Sequence, residues 1–296
     1  MKKWGCLFLL LLCLCLTYIY IGPFFEPKAD LPNVEVQEYD QHENDKAGDG
    51  RTSESVQIDL TKDQIYQGNL LLVNSEYPVD RESIKSDVVN LFKHNELVKG
   101  YGLLDNDTYL SEDIARKFSD MIAAAEKEGV SNFFITSGFR DFDEQRVLYQ
   151  EKGSAYALPP GYSEHNLGLS LDVGTTQMKM AEAPEGEWIE KNAWKYGFIL
   201  RYPEDKADVT GINYEPWHIR YVGLPHSAIM KENNFVLEEY LDYLKEKKKV
   251  SAKVDGQKYT VSYYAFSENT TINIAENHEY EISGNNMDGV IVTVYE

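Results

Sequence analysis

The chain has 296 residues, 43% of them hydrophobic and 12% aromatic, enough to bury one good core with a small second module and too apolar for a disordered polymer. Its 49 acidic residues against 29 basic ones give a formal charge of −20, which argues against a nucleic-acid partner, because neutralising phosphates takes a basic surface. Attachment to an anionic membrane or wall polymer must likewise come from something other than overall charge.

Such an attachment is readable at the amino terminus. Lys2 and Lys3 precede Trp4 to Phe25, a run without a charged residue that is long enough to span a bilayer as a helix. Tyr18 and Tyr20 suit the outer interface, and the lysines keep the amino terminus inside, so residues 1–25 are expected to be a single-pass anchor with everything after them outside the cytoplasm. A cleaved signal peptide is the alternative, although the run lacks an A-x-A site. Cys6, Cys13 and Cys15 all lie in this span, so the exported part can form no disulfide. Leucines precede Cys13 and Cys15, which weakens a lipoprotein reading.

Residues 26–62 carry ten Asp and Glu against four Lys and Arg, with scattered Pro and Gly, and read as an acidic flexible linker. Asn69 to Pro78 is expected to be a short buried strand and turn. Ser111 caps a helix with an apolar face of Ile114, Phe118, Met121, Ile122 and Ala125, which Gly129 ends. A strand at 132–137 turns at Gly138 into Arg140, and Asp141 with Glu144 forms a capping box for the next helix. Leu169, Leu171 and Val173 alternate with Ser170 and Asp172 as a half-buried strand. Further elements are a helix over 184–196, strands near 198–202 and 219–221, and a helix through Val236, Tyr240, Leu241 and Leu244. After Val250 the texture becomes strand and turn, a β-rich module over 250–296 that should pack on the main domain, 63–249. Strands and helices in mixed order favour an α+β fold.

The chemistry-bearing residues lie in PPGYSEHNLGLSLDVG (159–174) and EPWHIRYVG (215–223). His165, Asp172 and His218 supply two imidazoles and a carboxylate, a standard donor set for one catalytic zinc with an open fourth position. Pro216 disfavours helix at Glu215, so this is not the helical H-E-x-x-H arrangement, and Glu215 must sit in a bend before the strand that holds His218. Zinc acidifies water, and Glu215 would take a proton and later return one to the leaving amine. Arg140, between a strand end and a helix start, is the best candidate to stabilise an oxyanion. Ser137, Gln145, Tyr149 and Ser163 could grip a peptide terminus, and Trp217 could wall the pocket. Each also has a bland reading: His226 competes with His218, and Arg140 could pair with Asp141 or Asp143.

SGFRDFDEQRVLYQ (137–150), the S-x-H-x6-D element at 163–172 and E-P-W-H at 215–218 resemble the zinc D,D-carboxypeptidases of the VanY type, relatives of VanX dipeptidases and lysostaphin-like enzymes. The resemblance covers most of the chain. It implies an α+β metallopeptidase fold around a small antiparallel sheet, with His165, Asp172 and His218 as zinc ligands, Glu215 as acid/base and Arg140 as anchor of the scissile carbonyl. Ser137, Gln145, Tyr149 and Ser163 match pocket positions. The implied reaction removes terminal D-alanine from peptidoglycan precursors ending in D-Ala-D-Ala, which deprives vancomycin-type antibiotics of their target. An L,D-carboxypeptidase, a wall endopeptidase, and a non-catalytic wall-binding module with a structural metal stay open; the unbound carboxylate of Glu215 argues against the last.

Overall fold

Two strands, β1 (Val34–Glu38) and β2 (Ser55–Asp59), fall inside the stretch expected to be a flexible linker. The computed structural model describes residues 34–38, 55–154 and 156–296. The expected anchor, 1–25, and the rest of the expected linker up to residue 54 lie outside the described residues. The linker expectation is corrected for the two strands. Their acidic composition conceals a period-two pattern, Val34 and Val36 in one and Val56 and Ile58 in the other, which sheet pairing can use. Among the described residues no helix is long and apolar enough to cross a membrane.

Leu70 to Val73, expected as a strand, is buried but joins no ladder. Its backbone groups bond elsewhere, the Leu72 N–H to the Asn285 carbonyl at 3.2 Å and the Asn69 and Leu71 carbonyls to Arg220. Strands β3 (Val88–Asn90), β4 (Gly102–Leu103) and β5 (Tyr109–Ser111) lead to helix α1 (Glu112–Lys127). Ser111 caps α1 by accepting from the Ile114 N–H, and the expected apolar face is fully buried. Then come β6 (Phe133–Ser137), helix α2 (Phe142–Lys152) with the Asp141/Glu144 capping box, and β7 (Ser170–Thr175). The helix expected over 184–196 is α3 (Pro184–Asn192), after which the chain tightens into a 3-10 turn, Ala193–Tyr196, closed by Gly197 in the left-handed region. Strands β8 (Phe198–Leu200) and β9 (His218–Tyr221) complete a five-stranded sheet in the order β4-β6-β7-β9-β8, antiparallel except where β4 meets β6. Leu171 and Val173 of β7 and Ile219 of β9 share a core with Phe118 of α1, which leaves Asp172 and His218 for the opposite face.

Helices α4 (His226–Asn233) and α5 (Leu237–Lys247) lead to β10 (Lys249–Val254), β11 (Gln257–Ala265), β12 (Thr271–Ala275), β13 (Glu279–Gly284) and β14 (Gly289–Tyr295). The second five-stranded sheet runs β1-β10-β11-β14-β13, so β1 supplies an edge, while β2 pairs with β12 as a separate ribbon. One face of this sheet, through Val250, Val261 and Ile291, packs on Leu237, Leu241 and Leu244 of α5 and on Leu70 and Leu72. Its other face, through Val290 and Val292, meets Ile272 and Ile274 of the ribbon. The β-rich end therefore shares a core with Leu70, Leu72, Ile199 of β8 and helix α5, and the described residues from Val34 onward fall into one compact unit.

Candidate metal centre and active site

Three adjacent strands bring the central residues side by side. Asp172 of β7 is in register with Ser137 of β6 on one side and His218 of β9 on the other, and a bulge between Ile135 and Ser137 sets the first pairing. His165 arrives from a 3-10 turn, Glu164–Asn166, capped by the Ser163 hydroxyl. Asn166 holds this turn in place, donating to the Arg140 carbonyl at 2.7 Å and accepting from the Gly161 N–H at 3.0 Å. The strand-to-helix passage beside it admits only glycine at 138, where a Cβ would lie 2.0 Å from the Tyr109 carbonyl oxygen.

The donor atoms of His165, Asp172 and His218 lie within 4.8 Å of one another. His165 Nε2 is 3.3 Å and His218 Nδ1 2.9 Å from the same Asp172 Oδ1. Each imidazole has its other nitrogen against an acceptor. His165 Nδ1 lies 2.6 Å from the Gly138 carbonyl, and His218 Nε2 lies 3.3 Å from a Glu164 carboxylate oxygen. A carbonyl or ionised carboxylate can only accept, so those nitrogens carry a hydrogen, and the converging ones are left to offer lone pairs to a cation that displaces any proton shared with Asp172. This is the outer support that metal-ligating histidines need, and the donor set fits a divalent ion such as zinc.

The electrostatics agree with that fit. Burial opposes charge on Asp172, yet His165 and His218 hold its carboxyl well below the usual carboxylate range. His165 is pushed down by burial and by Arg140, so its imidazole is neutral and able to ligate. Burial also opposes protonation of His218, but its hydrogen bonds to Asp172 and Glu164 raise it to about 9. A cation between Nδ1 and Asp172 would displace that extra proton.

Arg140 gathers most of the residues expected to bind substrate. Its Nη1 donates to Ser137 Oγ at 2.7 Å, Nε to Gln145 Oε1 at 2.9 Å and Nη2 to Ser163 Oγ at 3.5 Å. Gln145, almost fully buried, also donates to the Leu158 carbonyl at 2.7 Å. Asp141 and Asp143 do not pair with Arg140: Asp141 caps α2 and Asp143 bonds Arg146. Tyr149, one helical turn on from Gln145, and the exposed Trp217 add no side-chain hydrogen bond to this cluster among the described residues. Glu215 sits where the chain bends, its N–H donating to the Tyr202 carbonyl and its carbonyl accepting from the His218 N–H at 3.2 Å across a tight turn. Its carboxyl is raised by burial, and Asp172 adds to the rise while His218 and Arg140 oppose it. A carboxyl raised in this direction is better suited to hold and return a proton than a free one. His226 is elsewhere, between Tyr240 and Thr293.

Sequence reading passed over Glu164, Arg201 and Arg220, all buried behind His218. Arginine inside otherwise apolar strand segments, FILR and HIR, was the available signal, since a buried guanidinium requires a partner.

The fold and this cluster define a D-Ala-D-Ala peptidase scaffold with a candidate metal centre at its sheet. A family model described as "VanY: D-alanyl-D-alanine carboxypeptidase" matches residues 107–224. A D-alanyl-D-alanine carboxypeptidase of Enterococcus faecium is 62% identical over 296 residues, covering 100% of this chain and 97% of the relative. The bifunctional D-Ala-D-Ala dipeptidase and carboxypeptidase VanXYC of Enterococcus gallinarum is 39% identical over 156 residues, 47% of this chain and 81% of the relative. Among solved structures, the vancomycin-resistance D,D-dipeptidase VanXYg, in complex with a D-Ala-D-Ala phosphinate analogue, superposes with a TM-score of 0.71 at 33% identity, covering 82% of this chain and 100% of that one. The LD-carboxypeptidase LdcB gives a TM-score of 0.50 at 31% identity, covering 58% of this chain and 84% of that one. This chain belongs to the VanY family of D-alanyl-D-alanine carboxypeptidases.

Proposed function

We propose that the chain is a zinc-dependent carboxypeptidase, held at the outer face of the cell membrane by residues 1–25, that removes the terminal D-alanine from peptidoglycan precursor peptides ending in D-Ala-D-Ala. Loss of that terminus would contribute to resistance to vancomycin-type antibiotics. One observation carries the reading: three donors from two separate stretches of the sequence converge within 4.8 Å, with a carboxyl whose pKa is raised by burial and a fixed guanidinium beside them. The 62% identity to an enterococcal D-alanyl-D-alanine carboxypeptidase and the phosphinate complex of VanXYg support the substrate.

His165, Asp172 and His218 would hold the ion, which supplies Lewis acidity and lowers the pKa of water. Glu215 would accept a proton at its carboxylate and return it to the departing amine nitrogen. Arg140, held by Ser137, Gln145 and Ser163, would face the carbonyl oxygen where negative charge develops. Lys2 and Lys3 before an uncharged apolar run support the anchor. Likeness to LdcB favours an L,D-carboxypeptidase as the second reading.

The test is to incubate the purified full-length chain in detergent with zinc and a set of stem peptides. D-Alanine should leave a pentapeptide ending in D-Ala-D-Ala, and chelation should abolish release. Glu215→Ala should lower kcat by about 10²–10⁴-fold with zinc still bound. Full turnover after chelation would refute the zinc reading, and preference for the tetrapeptide would move the enzyme to the second one.

A further inference from the structure

Behind His218 lies a buried charge cluster that no step above uses. Glu164, Arg201 and Arg220 have almost no exposure. Glu164 Oε1 accepts from both Arg201 Nε and Arg220 Nη1 at 2.8 Å, while its Oε2 faces His218 Nε2 at 3.3 Å. Arg201 then makes a two-pronged pair with Glu238 on α5, at 2.9 and 2.7 Å. Arg220 donates to the Asn69 and Leu71 carbonyls, each at 3.0 Å, and to the Tyr221 carbonyl at 3.1 Å.

A cluster of this kind adds little net stability, because desolvating the ions offsets most of their attraction. The arrangement of acceptors suggests what this one does. Two guanidiniums share one Glu164 oxygen, which holds the carboxylate in one orientation and leaves its other oxygen as the acceptor facing His218. An acceptor there keeps a hydrogen on Nε2, so that when a cation displaces the proton between Nδ1 and Asp172 it is the Nδ1 lone pair that serves the centre shared with His165 and Asp172. We propose that Glu164, clamped by Arg201 and Arg220, is a positioning residue that fixes the Nε2–H tautomer of His218 and thereby sets the metal affinity of the site. The inference rests on the zinc reading above. It also ties the ligand to α5 and to the 69–71 segment, the two anchors of the clamp.

The clamp makes glutamine a decisive replacement. In Glu164→Gln the arginines still demand an acceptor, so the amide oxygen must face them and the amide NH₂ must face His218. Nε2 would then have to accept, which moves the hydrogen to Nδ1, where the metal should bind.

Zinc affinity of the full-length protein, by competition with a chromogenic chelator, is the measurement. Glu164→Gln should bind zinc about 10–100-fold more weakly than the unaltered protein. Glu238→Gln, which also removes a charge from the cluster but leaves Glu164 and His218 facing one another, should stay within a few-fold. Folded Glu164→Gln protein that binds zinc as tightly as the parent, or equal weakening by both substitutions, overturns the proposal. Should Glu164→Gln fail to fold, nitrogen-15 spectra of the histidine side chains in the zinc-loaded parent decide the matter. Protonated Nε2 on His218 supports the clamp, and protonated Nδ1 with a ligating Nε2 overturns it. A parent chain that binds no zinc would sink the functional reading and this inference together, whereas a zinc-binding parent with an indifferent glutamine variant sinks the inference alone.

Discussion

Arg140 shows how one side chain acquires a role from its neighbours. Burial pulls its pKa down, but a guanidinium stays charged in a protein, and Asp172 and Glu215 favour that charge. Ser137, Gln145 and Ser163 engage three different nitrogens of the fork, so its orientation is set before any substrate arrives. Lysine would keep the charge and lose the fork, because a single ammonium on a flexible stem cannot satisfy three acceptors in one plane. Arg140→Lys should therefore lower kcat by about 10²–10³-fold, the usual cost of removing an oxyanion donor, with zinc content unchanged. Steady-state kinetics on the pentapeptide decide it. A rise in KM at constant kcat would mean that Arg140 only binds the substrate and does not stabilise developing charge.

Strand β14 lies at the junction of two cores, and its alternation serves both. Ile291 points into the cluster with α5 and Leu70, while Val290 and Val292 point to the β2–β12 ribbon. Ile291→Ala should cost about 2–5 kcal/mol, as for other large-to-small changes at buried sites. Because that core also contains Ile199 of β8 and Val222, just after β9, unfolding should stay a single transition by circular dichroism and by loss of activity. Two separated transitions would mean that the β-rich end is an independent module. The same packing explains which elements were legible in the sequence. Helix α1 and strand β7 carry their core contacts locally, at spacings of 3.6 and 2, and their boundaries follow from Ser111, Gly129 and the Leu-x-Leu-x-Val alternation. The bend at Glu215 was also readable, since Pro216 and the three-residue spacing to His218 require it. Strands β1 and β2 were not, because their partners, β10 and β12, lie more than 200 residues further on and short polar alternation is no stronger than linker noise. Nor was the Glu164 cluster, whose members come from positions 164, 201, 220 and 238 and signal one another only after folding.

Across the whole molecule, buried ionisable groups make stability depend on pH, and His226 provides the separable case. Tyr240 OH lies 2.7 Å from its Nδ1 and Thr293 Oγ1 3.0 Å from its Nε2, so the ring joins α4, α5 and β14 and has no part in the His165, Asp172 and His218 cluster. Burial lowers its pKa from 6.5 to about 3, with no neighbouring charge to compensate. In the unfolded chain the same imidazole takes a proton below pH 6.5, while the folded one stays neutral until about pH 3. The unfolded state thus binds the extra proton, and this contribution to stability, complete above pH 6.5, falls by about 1.4 kcal/mol for each pH unit between 6.5 and about 3. His226→Gln removes this titration and keeps an acceptor and a donor in the side chain. It should lower stability at pH 7, where the packing of the imidazole is lost, and flatten the decline between pH 6 and pH 4. Urea midpoints of the zinc-loaded parent and variant, taken at matched pH values, give the comparison, because the carboxylates that also titrate in this range are common to both and cancel. Parallel curves over that interval would mean that His226 is accessible to protons in the folded state, and the three-element junction around it would then be looser than the hydrogen bonds to Tyr240 and Thr293 require.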